Sequence, residues 1–299
     1  MTGVRVTADV KIPLRLSVRY HTIARVTVRM HRVAVTLDGA LAGDMIALPE
    51  IGDAAGWLVT SLPVGQVAAL SGGGSIARVR QRYQRRYIEL SGGFDAYLTK
   101  LSPSARASIQ RKARRLAASG MRVTAHHDAA SIGAFHATAR MISMTTYQER
   151  RLNAGLPYDA AFVADMRRRA EAGRMRAWLL HVGATPAAYL YCPVEGDTLI
   201  YAYLGYDPAF ARLSPGTVLQ FEALRDLFAH GGFARFDFTE GDGQHKRQFA
   251  TGSIDCADLL LLRPTIANRA TAALIGGFDR LAEGAKRLGG AGLVRRLLR

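Results

Sequence analysis

Apolar residues take every second position at the start of the chain: Val4, Val6, Ala8, Val10, Ile12, Leu14, Leu16, Val18 and Tyr20 share one parity, and Arg5, Lys11, Arg15 and Arg19 the other. Period two is the strand period. It predicts one strand with a buried and a wet basic face, or two strands broken near Pro13. The alternation returns at Val26, Val28 and Met30, shifts register to Val33, Val35 and Leu37, and closes at the turn signal Leu37-Asp38-Gly39. Residues 54–77 carry no charge. A spanning helix wants about 20 mainly apolar residues, and Pro63, Gln66 and Gly72-Gly73-Gly74 interrupt this stretch, so it predicts a buried strand and a loop. Arg78, Arg80, Arg82, Arg85 and Arg86 then form a basic run before the strand-like Tyr87-Ile88-Glu89-Leu90.

Helical spacing begins at Ser102, which can cap. Pro103 suits the first helical position and Gly120 the left-handed end. A strand at 121–125, helical stretches at 129–152 and 158–172, and strands at 174–182, 185–194 and 198–206 follow, the last two joined at Glu195-Gly196-Asp197. A helix over 215–230, a strand over 233–238, a loop and a last strand over 257–263 complete the pattern. The mixture predicts α/β, or α+β with a mixed sheet. Three regions are expected: a β-rich 1–86, which could be a partial domain, a central domain 87–263, and a tail 264–299.

Composition narrows the class. The chain has 299 residues, 49% of them hydrophobic, which excludes intrinsic disorder as the main state. Its two cysteines, Cys192 and Cys256, exclude a disulfide scaffold and form no CxxC pair. A reducing, cytoplasmic compartment is expected, and the first residues lack an apolar run of signal length. The net charge is +16, and all but five of the 40 cations are Arg. A GC-rich genome also writes such a composition. Physically, the charge attracts phosphates, CoA, an acidic carrier protein, anionic lipid or nucleic acid.

Dinucleotide, P-loop, zinc-protease and nucleophile-elbow signatures are absent. His126-His127 lacks a third ligand at useful spacing, so no metal is expected. The informative run is Leu204-Gly205-Tyr206-Asp207-Pro208, then Leu213-Ser214-Pro215-Gly216-Thr217 at a helix start, then Phe236-Asp237-Phe238, Gly241, His245-Lys246 and Phe249. A strand entering a Ser-Pro-Gly turn leaves N–H groups free at a positive helix end, a ready phosphate site. Taken singly, Ser214 could be an ordinary cap and Asp237 a strand-end turn residue.

In this order the elements resemble the Gcn5-related N-acetyltransferase superfamily. The similarity is to the branch of cellulose-biosynthesis-associated acetyltransferases related to the Fem peptidyltransferases, which includes bacterial ceramide synthase-like proteins. The basic helix Arg106…Arg111-Lys112-Ala113-Arg114-Arg115-Leu116…Gly120 and Trp178…Gly183…Pro186-Ala187-Ala188 are also similar, and the likeness spans about 87–262. One departure is His245, where the family usually has Tyr before the Lys.

The resemblance implies a GNAT-type fold and an acyl-CoA (or acyl-carrier-protein thioester) co-substrate, with no permanently bound cofactor. The pantetheine arm would lie between strands 198–206 and 233–238. The pyrophosphate would sit on Ser214, Gly216 and Thr217, with Arg212 as cation partner. His245, Glu240 or Asp237 would accept the amine proton, Lys246 would face an anionic substrate or developing charge, and Tyr203 or Tyr201 would return a proton to the thiolate.

From Arg263 onward eight Arg and Lys oppose only Asp279 and Glu283, and Ile266, Ala270, Ala273, Leu274, Phe278 and Leu281 recur at helical spacing. A basic amphipathic helix reads as a membrane-surface element, or as a packing helix with a basic end. The reading is an N-acyltransferase, cytoplasmic or peripheral on the inner face of the cytoplasmic membrane, acting on a lipid-borne amine such as a sphingoid base. Acetylation of exopolysaccharide sugars, aminoacyl transfer, and a silent module docking on anionic membrane are the alternatives. Nucleic acid is not expected as a partner, because the Arg runs lack interleaved aromatics.

Overall fold

The structure is a computed structural model and describes residues 3–18, 21–146, 155–241 and 243–287. Its strands are β1 (Val4–Val18), β2 (His21–Val35), β3 (Gly56–Pro63), β4 (Ile76–Glu89), β5 (Met121–His126), β6 (Met175–Val182), β7 (Thr185–Glu195), β8 (Thr198–Ile200), β9 (Tyr203–Tyr206), β10 (Arg235–Asp237) and β11 (Gly252–Leu262). The chain packs as two compact units, Met1–Tyr83 with Ile254–Arg299, and Gln84–Ser253.

In the first unit the order is β1-β2-β3-β11, with β2 and β3 parallel and the other pairs antiparallel. Strand parity sets two cores, because successive side chains leave opposite faces. Leu259 and Leu261 pack with Val33, Val59 and Leu62, whereas Leu260 and Leu262 pack with Met30, Ala272 and Ile275. Ala272 and Ile275 belong to the Ile266–Arg287 helix, so the first part of the basic C-terminal segment buries an apolar stripe. Residues 288–299, with Arg295, Arg296 and Arg299, lie outside the described residues, as do the side chains of Leu281, Leu14, Leu16, Val18 and Arg15.

Several local expectations need correction. The β1 alternation is broken by a bulge between Thr7 and Val10, where Asp9 takes φ 51°, and Val6 is 44% exposed; an extra residue in one strand swaps the faces beyond it. The turn at Leu37-Asp38-Gly39 is a helix, Leu37–Ala42: Thr36 accepts from Gly39 N at 3.1 Å, and Gly43 closes it at φ 73°. The Arg run is part of β4. Arg78 and Arg82 are exposed on it, whereas Arg85 is buried. Residues 54–77 form β3, a 3₁₀ turn and the short Val67–Ser71 helix; among the described residues no helix is long and apolar enough to cross a membrane.

The second unit carries β4 (from Gln84), β10, β8, β7, β6 and β5 in that order, mixed because β8 and β10 are parallel. Ala188, Leu190 and Cys192 of β7 pack with Trp178, Val218 and Leu224, while Tyr189 and Tyr191 pack with Phe135, Ile142 and Met166. Both faces are covered by helices: Pro103–Ala117 and Pro215–His230 on one, Ile132–Thr145 and Ala160–Glu171 on the other. That is why β7 reads as an unbroken apolar run rather than an alternation. The Ser102 cap is present, accepting from Ala105 N at 3.2 Å, and Gly120 is left-handed at φ 72°. Two helices, Phe94–Lys100 and Gln244–Phe249, occupy stretches where the sequence pattern predicts none. Residues 147–152 of the predicted 129–152 helix fall within the undescribed 147–154.

The strand expected over 198–206 is divided. β8 lies between β7 and β10, with Leu199 opposite Val194 on one side and Phe236 on the other. β9 pairs with β7 alone among the described residues, from Tyr203↔Tyr191 to Tyr206↔Ala188. At the break the register against β7 slips by one residue, from Val194↔Leu199 to Tyr191↔Tyr203, and β10 ends beside it. Tyr201 N still donates to Asp237 O at 2.9 Å, but Asp237 Oδ1 caps Thr239 N at 2.8 Å and Thr239 takes φ 59°, which turns the chain away.

Candidate active site

This divergence opens a cleft of about 570 Å³ inside the Gln84–Ser253 unit. Its walls are the outer side of β9 (Tyr203, Leu204, Tyr206), the start of the Pro215–His230 helix (Gly216, Thr217, Gln220) and His245-Lys246.

The helix start is built by local geometry. Asp207 accepts from Ala209 N at 2.9 Å and begins a 3₁₀ turn, Pro208–Leu213; Ser214 then takes a left-handed conformation, φ 54° and ψ 49°, with Pro215 first in the helix. Ser214 makes no side-chain cap, so it is not the ordinary N-cap. First-turn N–H groups have no partner within a helix, and those of Gly216 and Thr217 stand at its positive end. A Cβ at Gly216 would lie 3.0 Å from Leu204 Cδ2 and 3.3 Å from Tyr206 Cδ1. Glycine therefore lets the helix start close onto β9. Arg212 is exposed, and neither it nor Ser214 lines the cleft.

His245 faces the cleft 6.0 Å from the Tyr201 ring, measured between centroids. A Cβ at Gly243 would come within 2.8 Å of its Cε1, so that glycine leaves room for the imidazole. The residue keeps solvent exposure while its ring lies beside that of Tyr201. This partial burial first, and the charge of Lys246 second, hold its pKa below the usual imidazole value. A neutral imidazole near pH 7 is the form that can accept a proton.

Lys246 is 9% exposed, and its Nζ donates to Phe238 O at 2.7 Å and to Glu240 O. Its ammonium thus closes the loop after β10 while also lining the cleft. Asp237 is fully buried and paired with Arg85, whose Nε lies 3.2 Å from each carboxylate oxygen. Glu240 is exposed, and neither carboxylate lines the cleft. Of the three expected proton acceptors, only His245 does.

Tyr203 packs edge-on to Phe162 at 5.6 Å and beside Tyr191 at 6.4 Å. Burial raises its hydroxyl pKa, and that of Tyr201 more strongly, so both stay protonated at neutral pH. Tyr189 also lines the cleft; a Cβ at Gly205 would meet its ring at 2.5 Å, so Gly205 makes its place. Cys192 and Cys256 are buried and not joined in a disulfide, and burial pushes the Cys192 thiol up. Among the described residues no cluster of His, Cys, Asp and Glu could hold a metal ion.

The cleft is thus set where a mixed sheet splays beside a helix start, with an imidazole and tyrosine side chains along its walls. Residues 103–247 match the family described as acetyltransferase (GNAT) domain. Over residues 103–247 the chain is similar to GNAT acetyltransferase domains, and its mixed α/β fold is of GNAT type, which supports an acyltransferase enzyme. Among solved structures it is similar to the C-terminal domain of a protein described as a lysylphosphatidylglycerol synthetase from Agrobacterium fabrum. That likeness has TM-score 0.51 at 10% identity and covers 74% of this chain and 72% of that one. It is also similar to FemX, with TM-score 0.50 at 11% identity, covering 86% of this chain and 89% of that one. At such identities the likeness is one of fold. No curated protein sequence matches the chain.

Proposed function

We propose that the protein is an acyl-CoA-dependent N-acyltransferase that moves an acyl group from a thioester to an amine borne by a lipid or other envelope precursor, a sphingoid base being the specific option. The observation that carries the reading is the cleft between the unpaired side of β9 and the Gly216–Thr217 helix start, with His245 at its wall. An extended thioester arm can pair with β9 while its phosphate meets the helix N-terminus. GNAT domains use an acyl-CoA co-substrate; the positive charge also suits a thioester on an acidic carrier protein.

Neutral His245 takes one proton from the substrate ammonium, directly or through one water, leaving the neutral amine as nucleophile. The amine nitrogen forms a bond to the thioester carbon, and backbone N–H at the β8–β9 break stabilises the oxyanion. Collapse breaks the C–S bond; the thiolate takes a proton from Tyr203 or Tyr201, and the second proton shed by the nitrogen as the amide forms returns through water to that tyrosine. No covalent enzyme intermediate is needed. The envelope acceptor is supported by the name of one fold neighbour, a lysylphosphatidylglycerol synthetase, and by the basic C-terminal segment.

The test is thiol release by the full chain from acetyl-CoA and long-chain acyl-CoA, with a sphingoid base, an amino sugar and an aminoacyl acceptor in turn. Amine-dependent release, with an amide product of the expected mass, supports the reading. An ester product, or release unaffected by any amine, overturns it.

A further inference from the structure

Gln220 stands in the second turn of the Pro215–His230 helix, between buried Leu219 and Phe221, and is itself 2% exposed. Neither end of its side-chain amide has a hydrogen-bond partner among the described residues, and Nε2 is fully buried. Leaving such a donor unmade carries a desolvation cost, and an apolar residue of similar shape would avoid that cost. The residue lines the cleft. It sits four positions after Gly216, hence on the same helix face and roughly 6 Å further along the axis.

We infer that Gln220 recognises the thioester donor: its side-chain amide hydrogen-bonds an amide group of the phosphopantetheine arm lying against β9. The inference rests on the thioester reading above. A primary amide offers donor and acceptor together, the complement of a secondary amide. The phosphopantetheine arm has two secondary amides, the first a few single bonds beyond its phosphate. With the phosphate at Gly216 and Thr217, the arm running alongside the helix brings that amide to the depth of Gln220. CoA and carrier proteins share this arm, so the chemistry recognised is common to both donors. Gln220 is a positioning residue, acting on the arm and not on the reacting atoms.

The test compares wild type with Gln220→Met, which keeps the shape and removes both polar atoms. Calorimetry measures binding of CoA, of 4′-phosphopantetheine and of adenosine 3′,5′-bisphosphate, which lacks the arm. The expected result is about five- to tenfold weaker binding of CoA and phosphopantetheine, with the nucleotide unchanged. The unliganded variant should melt at or above the wild-type temperature, because an unmade buried amide has been removed. CoA alone weakening, with phosphopantetheine unaffected, would place the contact outside the arm and overturn the inference. So would equal loss for the nucleotide, wild-type affinity for all three, or a lower melting temperature. Gln220→Leu gives the same comparison if the Met variant does not fold. A wild type that binds neither CoA nor phosphopantetheine overturns the thioester reading itself, and this inference with it.

Discussion

Arg85 and Asp237, 152 residues apart in sequence, form a buried ion pair on neighbouring strands just where β10 ends and the cleft begins. Asp237 also caps Thr239 N, so one carboxylate ties the strand to β4 and turns the loop that carries His245. That places Asp237 in the frame of the site rather than among its proton acceptors.

Asp237→Asn should therefore act on stability first. Breaking a buried pair by removing one charge costs about 3–5 kcal/mol. Urea unfolding should show a loss of that order. At a temperature where the variant is folded, its turnover should fall far less than that of a His245 variant.

His245→Ala should lower turnover by on the order of 10²–10⁴ while leaving CoA affinity close to wild type. The base must be neutral, and its pKa is depressed, so kcat/KM should stay flat down to the ordinary imidazole value and decline only below it. A pH–rate profile with its acidic limb above about 6.5 would exclude His245 as the base.

Gly216→Ala places a methyl against Leu204 and Tyr206, both of which line the cleft. The two side chains must give by a few tenths of an ångström at the mouth of the anion site. Weaker CoA binding with an unchanged circular dichroism spectrum is expected.

Much of the architecture was legible because period and punctuation agree. Ser102 with Pro103, the apolar run of β7 and the Ser214-Pro215-Gly216 entry each predict the element found. The β8–β9 break was not, because Leu199, Ile200, Tyr201, Tyr203 and Leu204 all favour a strand; the register slip against β7 and the end of β10 at Asp237 mark the division. Arg85 was read as one charge of a run because its partner is remote in sequence. Gln220 did leave a signal: a polar residue among Val218, Leu219 and Phe221, four after Gly216, lies on the buried stripe of a helix.

The C-terminal helix yields a stability prediction. Ile275 is fully buried with Met30, Leu260 and Leu262, so Ile275→Ala should cost about 2–5 kcal/mol. Chemical denaturation checks it; a change under 1 kcal/mol would mean the helix contributes little to this core.

Three histidines set an acid limit on stability. Burial holds the pKa of His126, His181 and His245 below the usual value, with Lys246 adding for His245. Each therefore takes its proton in the unfolded chain before the folded one. Their contribution is intact above about pH 6.5 and is lost as pH falls from there toward the depressed values. Urea midpoints should be level from pH 8 to 7 and decline between pH 6.5 and 5.

Hydrogen exchange with and without acetyl-CoA tests the location of the donor site most directly. The account predicts slowed exchange in residues 201–220 and 243–249, with the Phe94–Lys100 helix unchanged. Protection confined to residues outside 201–249, or none at saturating acetyl-CoA, would contradict it.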